Sequence, residues 1–273
     1  MPPVPVLADG LQELGLHVTQ QQLERFQRYM EVLMEWSERV SLTAVRDEEG
    51  IQRRHFLESA ALVPALHEQG FTFREHSLID VGSGSGVPGL PLKILEPSLQ
   101  LTLVEAKQRK AEFLIALLPE LGLSDVTVLT RRAEEVAHDP RYREQYDFAV
   151  AKALAPLRTL AELTLPFVRM GGLVLAPKGK ETEAEVKDAR VALETLKGSV
   201  RAVEPIRLAE PEQNVVMIDK ELPTPQRFPA GRACQPSARS EAALYRPTPP
   251  AYTSHQHRPD ARTTRARGEG VPP

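Results

Sequence analysis

The sequence predicts an α/β protein: a mostly parallel, doubly wound, seven-stranded sheet with an antiparallel hairpin at one edge and a helical cap at the N-terminus. Three observations carry this. Between Ser77 and Asp219, short β-like runs alternate with helical segments, the order that sets parallel strands in one sheet with helices on its faces. The first run leads directly into a glycine-rich loop. The last two runs are separated only by Ala209 to Gln213, too short a link for a crossover helix, so they pair antiparallel.

The elements follow in order. From Thr19 to Leu42 the pattern is helical: Thr19-x-x-Gln22 fits a capping box, and Leu23, Phe26, Met30, Leu33, Trp36 and Val40 recur at spacings of three and four. A second helical stretch runs from about Glu48 to Leu66. Then come Ser77 to Val81, the glycine loop and helical Leu90 to Leu95. Leu101 to Glu105 precedes helical Lys107 to Leu118, and Val126 to Thr130 precedes Ala133 to Ala137. Tyr146 to Ala151 precedes Leu157 to Val168, and Gly172 to Ala176 precedes Glu181 to Leu196. The hairpin is Val200 to Leu208 with Asn214 to Asp219. Residues 1–70 are thus read as the cap, 71–222 as the sheet domain of the same globular unit, and 223–273 as a disordered Pro/Arg-rich tail. That tail holds 10 of the 24 prolines and few large apolar residues.

With 273 residues, 41% of them hydrophobic, the chain can bury a full core. No apolar run approaches the roughly 20 residues of a membrane helix, and the N-terminus does not read as a signal peptide. A single cysteine, Cys234, excludes a disulfide framework and a Cys-rich zinc site. A cytoplasmic monomer without a bound metal is expected. The net charge of −3 hides an asymmetry: from Pro223 onward eight arginines face three acidic residues, leaving +5 there and −8 on the body. Bulk charge therefore does not draw this body to nucleic acid, and any such contact must come from local basic patches.

Asp80-Val-Gly82-Ser-Gly84-Ser-Gly86-Val-Pro88-Gly89 is the most informative segment. Alternate glycines after a strand let the backbone turn tightly and lie against a ligand where a Cβ would intrude. The spacing is G-x-G-x-G, not the G-x-G-x-x-G of dinucleotide sites, and Pro88 removes a backbone donor that a phosphate cradle would use. Glu105 ends the second strand, where a carboxylate accepts from both ribose hydroxyls. A ribose acid beside a loop that holds no pyrophosphate suits S-adenosylmethionine, which has a ribose and an amino-acid tail but no phosphate. The fold class is then a Rossmann-like class I S-adenosylmethionine-dependent methyltransferase. Ala133 and Glu134, after the third strand, are candidate adenine contacts, and Lys152 ends the fourth strand over the same pocket. On their own the glycines make only a tight turn, and Glu134 only a favourable helix start.

The reaction is narrowed by what the motifs lack. Carbon-5 pyrimidine methylation uses a cysteine nucleophile, which the core does not contain. Ala151 to Pro156 does not match the Asp/Asn-Pro-Pro-aromatic motif of base amino methylation. Guanine N7 already presents a lone pair, so proximity and orientation can supply most of the rate and no proton-transfer residue is required.

At these residues the chain resembles the bacterial 16S ribosomal RNA guanine-N7 methyltransferases, also called the glucose-inhibited division protein B family. The resemblance runs from about Leu23 to Pro229. It rests on Ser41-Leu-Thr43, Arg54-His-Phe-Leu-Glu-Ser59, Asp80 to Ile94, Leu103-Val-Glu105, Arg132-Ala-Glu134, Ala151 to Leu157 and Lys178-Gly179. It implies a cofactor pocket lined by Gly82, Gly84, Val87, Glu105, Ala133, Glu134 and Lys152, and a guanine in the 530 loop of 16S RNA, met on the small subunit, as substrate. Three positions depart from the family pattern: Lys152 for arginine, Ser41 for asparagine and Glu58 for aspartate. Arg54, His55, Arg109 and Arg132 are candidate RNA contacts, within a wider basic rim of Arg53, Lys107, Lys110 and Arg131. His55 is read first as a structural histidine, and Trp36 and Phe56 as core. The alternatives are a methyltransferase acting on another RNA or a small molecule, and a ribosome-assembly factor with a non-catalytic cofactor pocket.

Family members end in a short basic segment after the Pro-Thr-Pro motif seen here at Pro223 to Pro225. Restoring one C to a run at Pro229 allows Arg-Arg-Pro-Gly-Met-Pro-Ala-Lys-Arg-Pro-Leu and then a stop. The hypothesis is that residues 230–273 are out-of-frame translation. It fails if the gene shows no C-run there and no stop just after the shifted segment.

Overall fold

The structure is a computed structural model of the chain that describes residues 3–230. It opens with α1 (Pro5–Glu13) and α2 (Gln20–Ser37). The expected capping box is formed, with Gln22 N donating to the Thr19 hydroxyl and Thr19 N to the Gln22 side chain. α2 stops at Ser37, short of the expected Leu42, where Arg46 Nη1 donates to the Ser37 carbonyl and caps the helix end with a cation. The second helical stretch is not one helix. It is α3 (Glu48–Ile51), a π-helical turn (Gln52–Leu57), α4 (Glu58–Ala60) and α5 (Leu62–Glu68).

Seven strands then alternate with helices as expected: β1 (Ser77–Val81), α6 (Gly89–Leu95), β2 (Gln100–Val104), α7 (Gln108–Glu120), β3 (Thr127–Leu129), α8 (Ala133–Ala137), β4 (Tyr146–Val150), α9 (Leu157–Thr164), β5 (Val168–Lys178), α10 (Thr182–Leu196), β6 (Gly198–Pro205) and β7 (Asn214–Lys220). The sheet order is β3-β2-β1-β4-β5-β7-β6, parallel through β5 and antiparallel at β7 and β6. The chain winds one way from β1 to β3 and the other way from β4, so β1 and β4 flank the switch point where such sheets hold ligands.

Strand alternation divides the core in two. Leu78, Leu101, Leu103 and Phe148 pack with the cap helices, α6 and α7, while Ile79, Val81, Val104 and Ala149 pack with α8, α9 and α10. Asp80 shares the face of Leu78 and is driven beneath the cap, fully buried. Phe56 lies in the same core against Phe26 and Tyr29, and Trp36 packs partly buried on Phe113.

The expected disorder from Pro223 is corrected for residues 223–230, which are docked on the body. The buried Arg143 guanidinium donates to the carbonyls of Thr224, Pro225 and Phe228, and Thr224 N donates to Glu144. These bonds compensate the scarcity of apolar side chains that suggested disorder. The remaining tail, Cys234 included, lies outside the described residues.

Candidate functional site

β1 delivers the chain to the loop at Gly82. Gly82, Gly84 and Gly86 have φ of +74°, +58° and +86°, a region that disfavours side chains, and the three glycines serve different ends. A Cβ on Gly82 would stand 2.7 Å from the Leu154 side chain, and one on Gly86 would strike Leu90 and the Tyr29 hydroxyl. Those two admit the protein's own side chains. At Gly84 the space is open, bounded by Gly82 O at 3.8 Å and Lys110 Nζ at 3.9 Å. Room for a ligand therefore lies at Gly84.

The loop is braced by two carboxylates. Glu105, 7% exposed, accepts from Gly84 N at 2.9 Å and from Lys107 N at 2.7 Å. Each oxygen keeps acceptor capacity for a further donor such as a hydroxyl. Asp80 accepts from Gly89 N through Oδ2 at 2.9 Å, while its buried Oδ1 has no partner. Burial pushes the Asp80 carboxyl up to about 7, outweighing the Gly89 bond, with the Glu105 charge adding to the rise. From the cap, the buried Tyr29 hydroxyl donates to the Ser85 carbonyl, tying α2 to the glycine loop. Burial raises the phenol well above its ordinary value, so it stays a neutral donor. Sequence reasoning used Asp80 only as a landmark and missed Tyr29; the signal for Asp80 was its place on the Leu78 face.

The other expected residues fall around this loop at the carboxyl edge of the sheet or just behind it. Val87 is 9% exposed in the turn into α6, and Ala133 and Glu134 form the half-buried first turn of α8. Arg54, Arg109 and Arg132 are exposed, and among the described residues none has an ion-pair partner. Arg53 pairs with Glu49, and Arg131 with Asp139 and Glu135. His55 is turned inward: Nε2 lies 2.7 Å from the Thr43 hydroxyl and Nδ1 is buried without a partner. Burial, then the Lys152 charge, lower its imidazole to about 4, so the ring is neutral. Thr43 and His55 thereby join the Ser41-Leu-Thr43 and Arg54-to-Ser59 motifs.

Lys152 Nζ donates at 2.6 Å both to the buried Glu58 carboxylate and to the Arg54 carbonyl, and Gln213 Nε2 holds the other Glu58 oxygen at 2.8 Å. Glu58 and Lys152, two of the positions read from the sequence as departing from the family pattern, are thus one ion pair. The far end of the same loop is fixed by Lys178 Nζ on the Ala155 carbonyl and by Leu157 N on Glu185, both at 2.7 Å. Between these anchors Ala153 takes φ +54° and Leu154 lies over Gly82. A separate cleft of about 460 Å³, lined by Arg46, Asp47, Glu49, Arg53, Arg54 and Glu210 among others, sits between the cap and the β6–β7 link and not at the glycine loop. Its charges are of both signs, and its Arg53 and Glu49 neutralise each other.

The fit to S-adenosylmethionine rests on the open face of Gly84 and on the unspent acceptor capacity of Glu105 beside it. Fold and cleft together define a class I S-adenosylmethionine-dependent methyltransferase. A crystal structure of a mutant of MtNAS in complex with S-adenosylmethionine shares the fold, with a TM-score of 0.51 at 17% identity over 74% of this chain and 78% of that one. The family model for rRNA small subunit methyltransferase G matches residues 22–217, and the chain belongs to that family. Ribosomal RNA small subunit methyltransferase G of Roseiflexus sp. is 49% identical over 216 residues, 79% of this chain and 90% of that protein. Its counterpart in Leuconostoc citreum is 40% identical over 227 residues, 83% of this chain and 94% of that protein. The chain is an S-adenosylmethionine-dependent enzyme of rRNA methylation. Among the described residues no helix is long and apolar enough to cross a membrane.

Proposed function

We propose that the chain methylates N7 of a guanine in the 530 loop of 16S ribosomal RNA. The observation that carries the pocket assignment is the open face of Gly84 beside the anchored Glu105, at the switch point of the sheet. The guanine and its N7 rest on the family resemblance of the motifs. In this reading Gly82, Gly84 and Val87 shape the cofactor cradle, Glu105 takes the ribose hydroxyls, and Ala133 and Glu134 meet the adenine. Lys152 stands at its rim through the Glu58 pair. The cap (1–70) and the sheet domain (71–222) act as one unit, because their apolar residues share a core.

Bound there, the cofactor supplies an electrophilic methyl group. Guanine N7 offers its lone pair without prior deprotonation, so the protein's work is to bind, orient and exclude water. The neutral His55 imidazole, held by Thr43, is suited to fixing the cap and not to moving a proton. Arg54, Arg109 and Arg132, without an ion pair among the described residues, are available to RNA phosphates without first breaking such a bond.

The test is transfer of tritium from methyl-labelled cofactor to small ribosomal subunits from a strain lacking the gene, with the product mapped. N7-methylguanine in the 530 loop is expected. Cofactor binding without transfer to any RNA would favour an assembly role, and labelling of another base would refute the assignment.

A further inference from the structure

Four of the glycine loop's backbone donors are spent on the protein itself. Gly82 N and Ser83 N donate to the Val104 carbonyl, Gly84 N to Glu105 and Gly86 N to the Ser83 carbonyl. With those four committed, the loop is a poorer anion nest than a phosphate loop, whose N–H groups point at the ligand. Yet the amino-acid tail of S-adenosylmethionine ends in a carboxylate. With these four N–H groups taken, a side-chain cation is the natural partner for that charge.

Lys110 meets the requirement. It lies in the first turn of α7, half-buried, with its ammonium 3.9 Å from the point where a Gly84 Cβ would stand, across the open space of the cradle. It has no ion-pair partner among the described residues, although Glu105 flanks the same glycine; that carboxylate is turned to the N–H groups of Gly84 and Lys107. The other lysines buried in the body are spent: Lys93 on Asp125, Lys178 on Glu185 and Lys220 on Glu144.

We propose that Lys110 is the cation that anchors the amino-acid carboxylate of the cofactor. This rests on the S-adenosylmethionine reading of the pocket and adds a residue that the motifs placed only on the basic rim.

Two thioether nucleosides separate the tail from the rest: S-adenosylhomocysteine carries it and 5′-methylthioadenosine does not. Calorimetry on the full chain should show that Lys110→Met weakens S-adenosylhomocysteine by about 10- to 100-fold, the size of a lost hydrogen bond between charged groups. The affinity for 5′-methylthioadenosine should stay within about twofold, and Lys110→Arg should keep most of the preference for the tailed ligand. Equal weakening of both ligands, or no change in either with a raised KM for ribosomal subunits, would overturn the proposal; the latter would make Lys110 a phosphate contact. If the unaltered chain bound neither nucleoside, the pocket reading itself would fall, and this inference with it.

Discussion

Asp80→Asn probes the buried carboxylate that ties β1 to the start of α6 beneath the cap. Unfolded, Asp80 titrates near its ordinary 3.8; folded, burial lifts it to about 7. Between those values the folded chain holds a proton that the unfolded chain has released, so stability falls as pH rises through the window. At about 1.4 kcal/mol per pH unit, the roughly three-unit rise costs about 4 kcal/mol once pH exceeds 7. His55 works against it. Its folded value of about 4 lies below its ordinary 6.5, so it adds stability as pH rises from 4 to 6.5. The unaltered protein should therefore show a nearly flat profile up to pH 6.5 and a decline just above. The asparagine keeps an acceptor for Gly89 N and removes the titration. Urea unfolding at intervals from pH 4.5 to 8, followed by the fluorescence of Trp36, the only tryptophan, reads both proteins. The stability difference between them should shift in favour of the variant by about 3 kcal/mol from pH 4.5 to 8, the rest of the effect falling below that range. A difference independent of pH would show that Asp80 does not titrate there and would refute the reasoning.

Gly84→Val should abolish binding of S-adenosylhomocysteine while circular dichroism keeps the native secondary structure, at some cost in stability from the positive φ, since of the three loop glycines this is the one where the added bulk meets no protein atom closer than 3.8 Å; retained affinity would count against the cradle. Glu105→Ala should weaken the same ligand by about 1–3 kcal/mol, read by calorimetry, if the ribose hydroxyls bond to it. Glu58→Ala should destabilise the fold by about 3–5 kcal/mol in urea, because it strands Lys152 at a half-buried site. Arg54→Ala and Arg132→Ala should each weaken subunit binding and lower its salt dependence by about one unit of slope, the mark of one lost phosphate contact; an unchanged slope would remove them from the interface.

The sheet was legible because parallel strands buried on both faces read as apolar runs, such as Leu-Thr-Leu-Val before Glu105, broken by amphipathic helices. α1 was overlooked although Val4, Leu7, Leu11 and Leu14 recur at helical spacing and all are buried, because a nine-residue helix carries little signal by itself. The π-helical turn at Gln52–Leu57 has no local signature; it belongs to the packing of Phe56 and Leu57 under the cap. β5 begins at Val168, not at Gly172: glycines at 171 and 172 look like a break in sequence, but the strand passes through them, with residue 171 at φ +76°. The glycine motif announced a ligand loop, yet only the fold could show that Gly82 and Gly86 make room for Leu154, Leu90 and Tyr29 and that Gly84 alone faces open space.

The Glu58–Lys152 pair shows most plainly why such detail escapes a linear reading. Glu58 and Lys152 are 94 residues apart, and each by itself is a small loss of fit to the family pattern. Glutamate adds a methylene to the carboxylate arm, and lysine replaces a planar fork with a point charge on a flexible stem. Together they close at 2.6 Å, with Gln213 on the second carboxylate oxygen and the Arg54 carbonyl sharing the ammonium. The pair binds the cap to the loop that carries Leu154 over the first glycine. If the two substitutions compensate each other, Glu58→Asp and Lys152→Arg should each lower stability and cofactor affinity, while the double variant restores both. A double-mutant cycle should give a favourable coupling of about 0.5–3 kcal/mol. Additive losses would mean that the two positions drifted independently and that the loop owes its place to Lys178 and Glu185 instead.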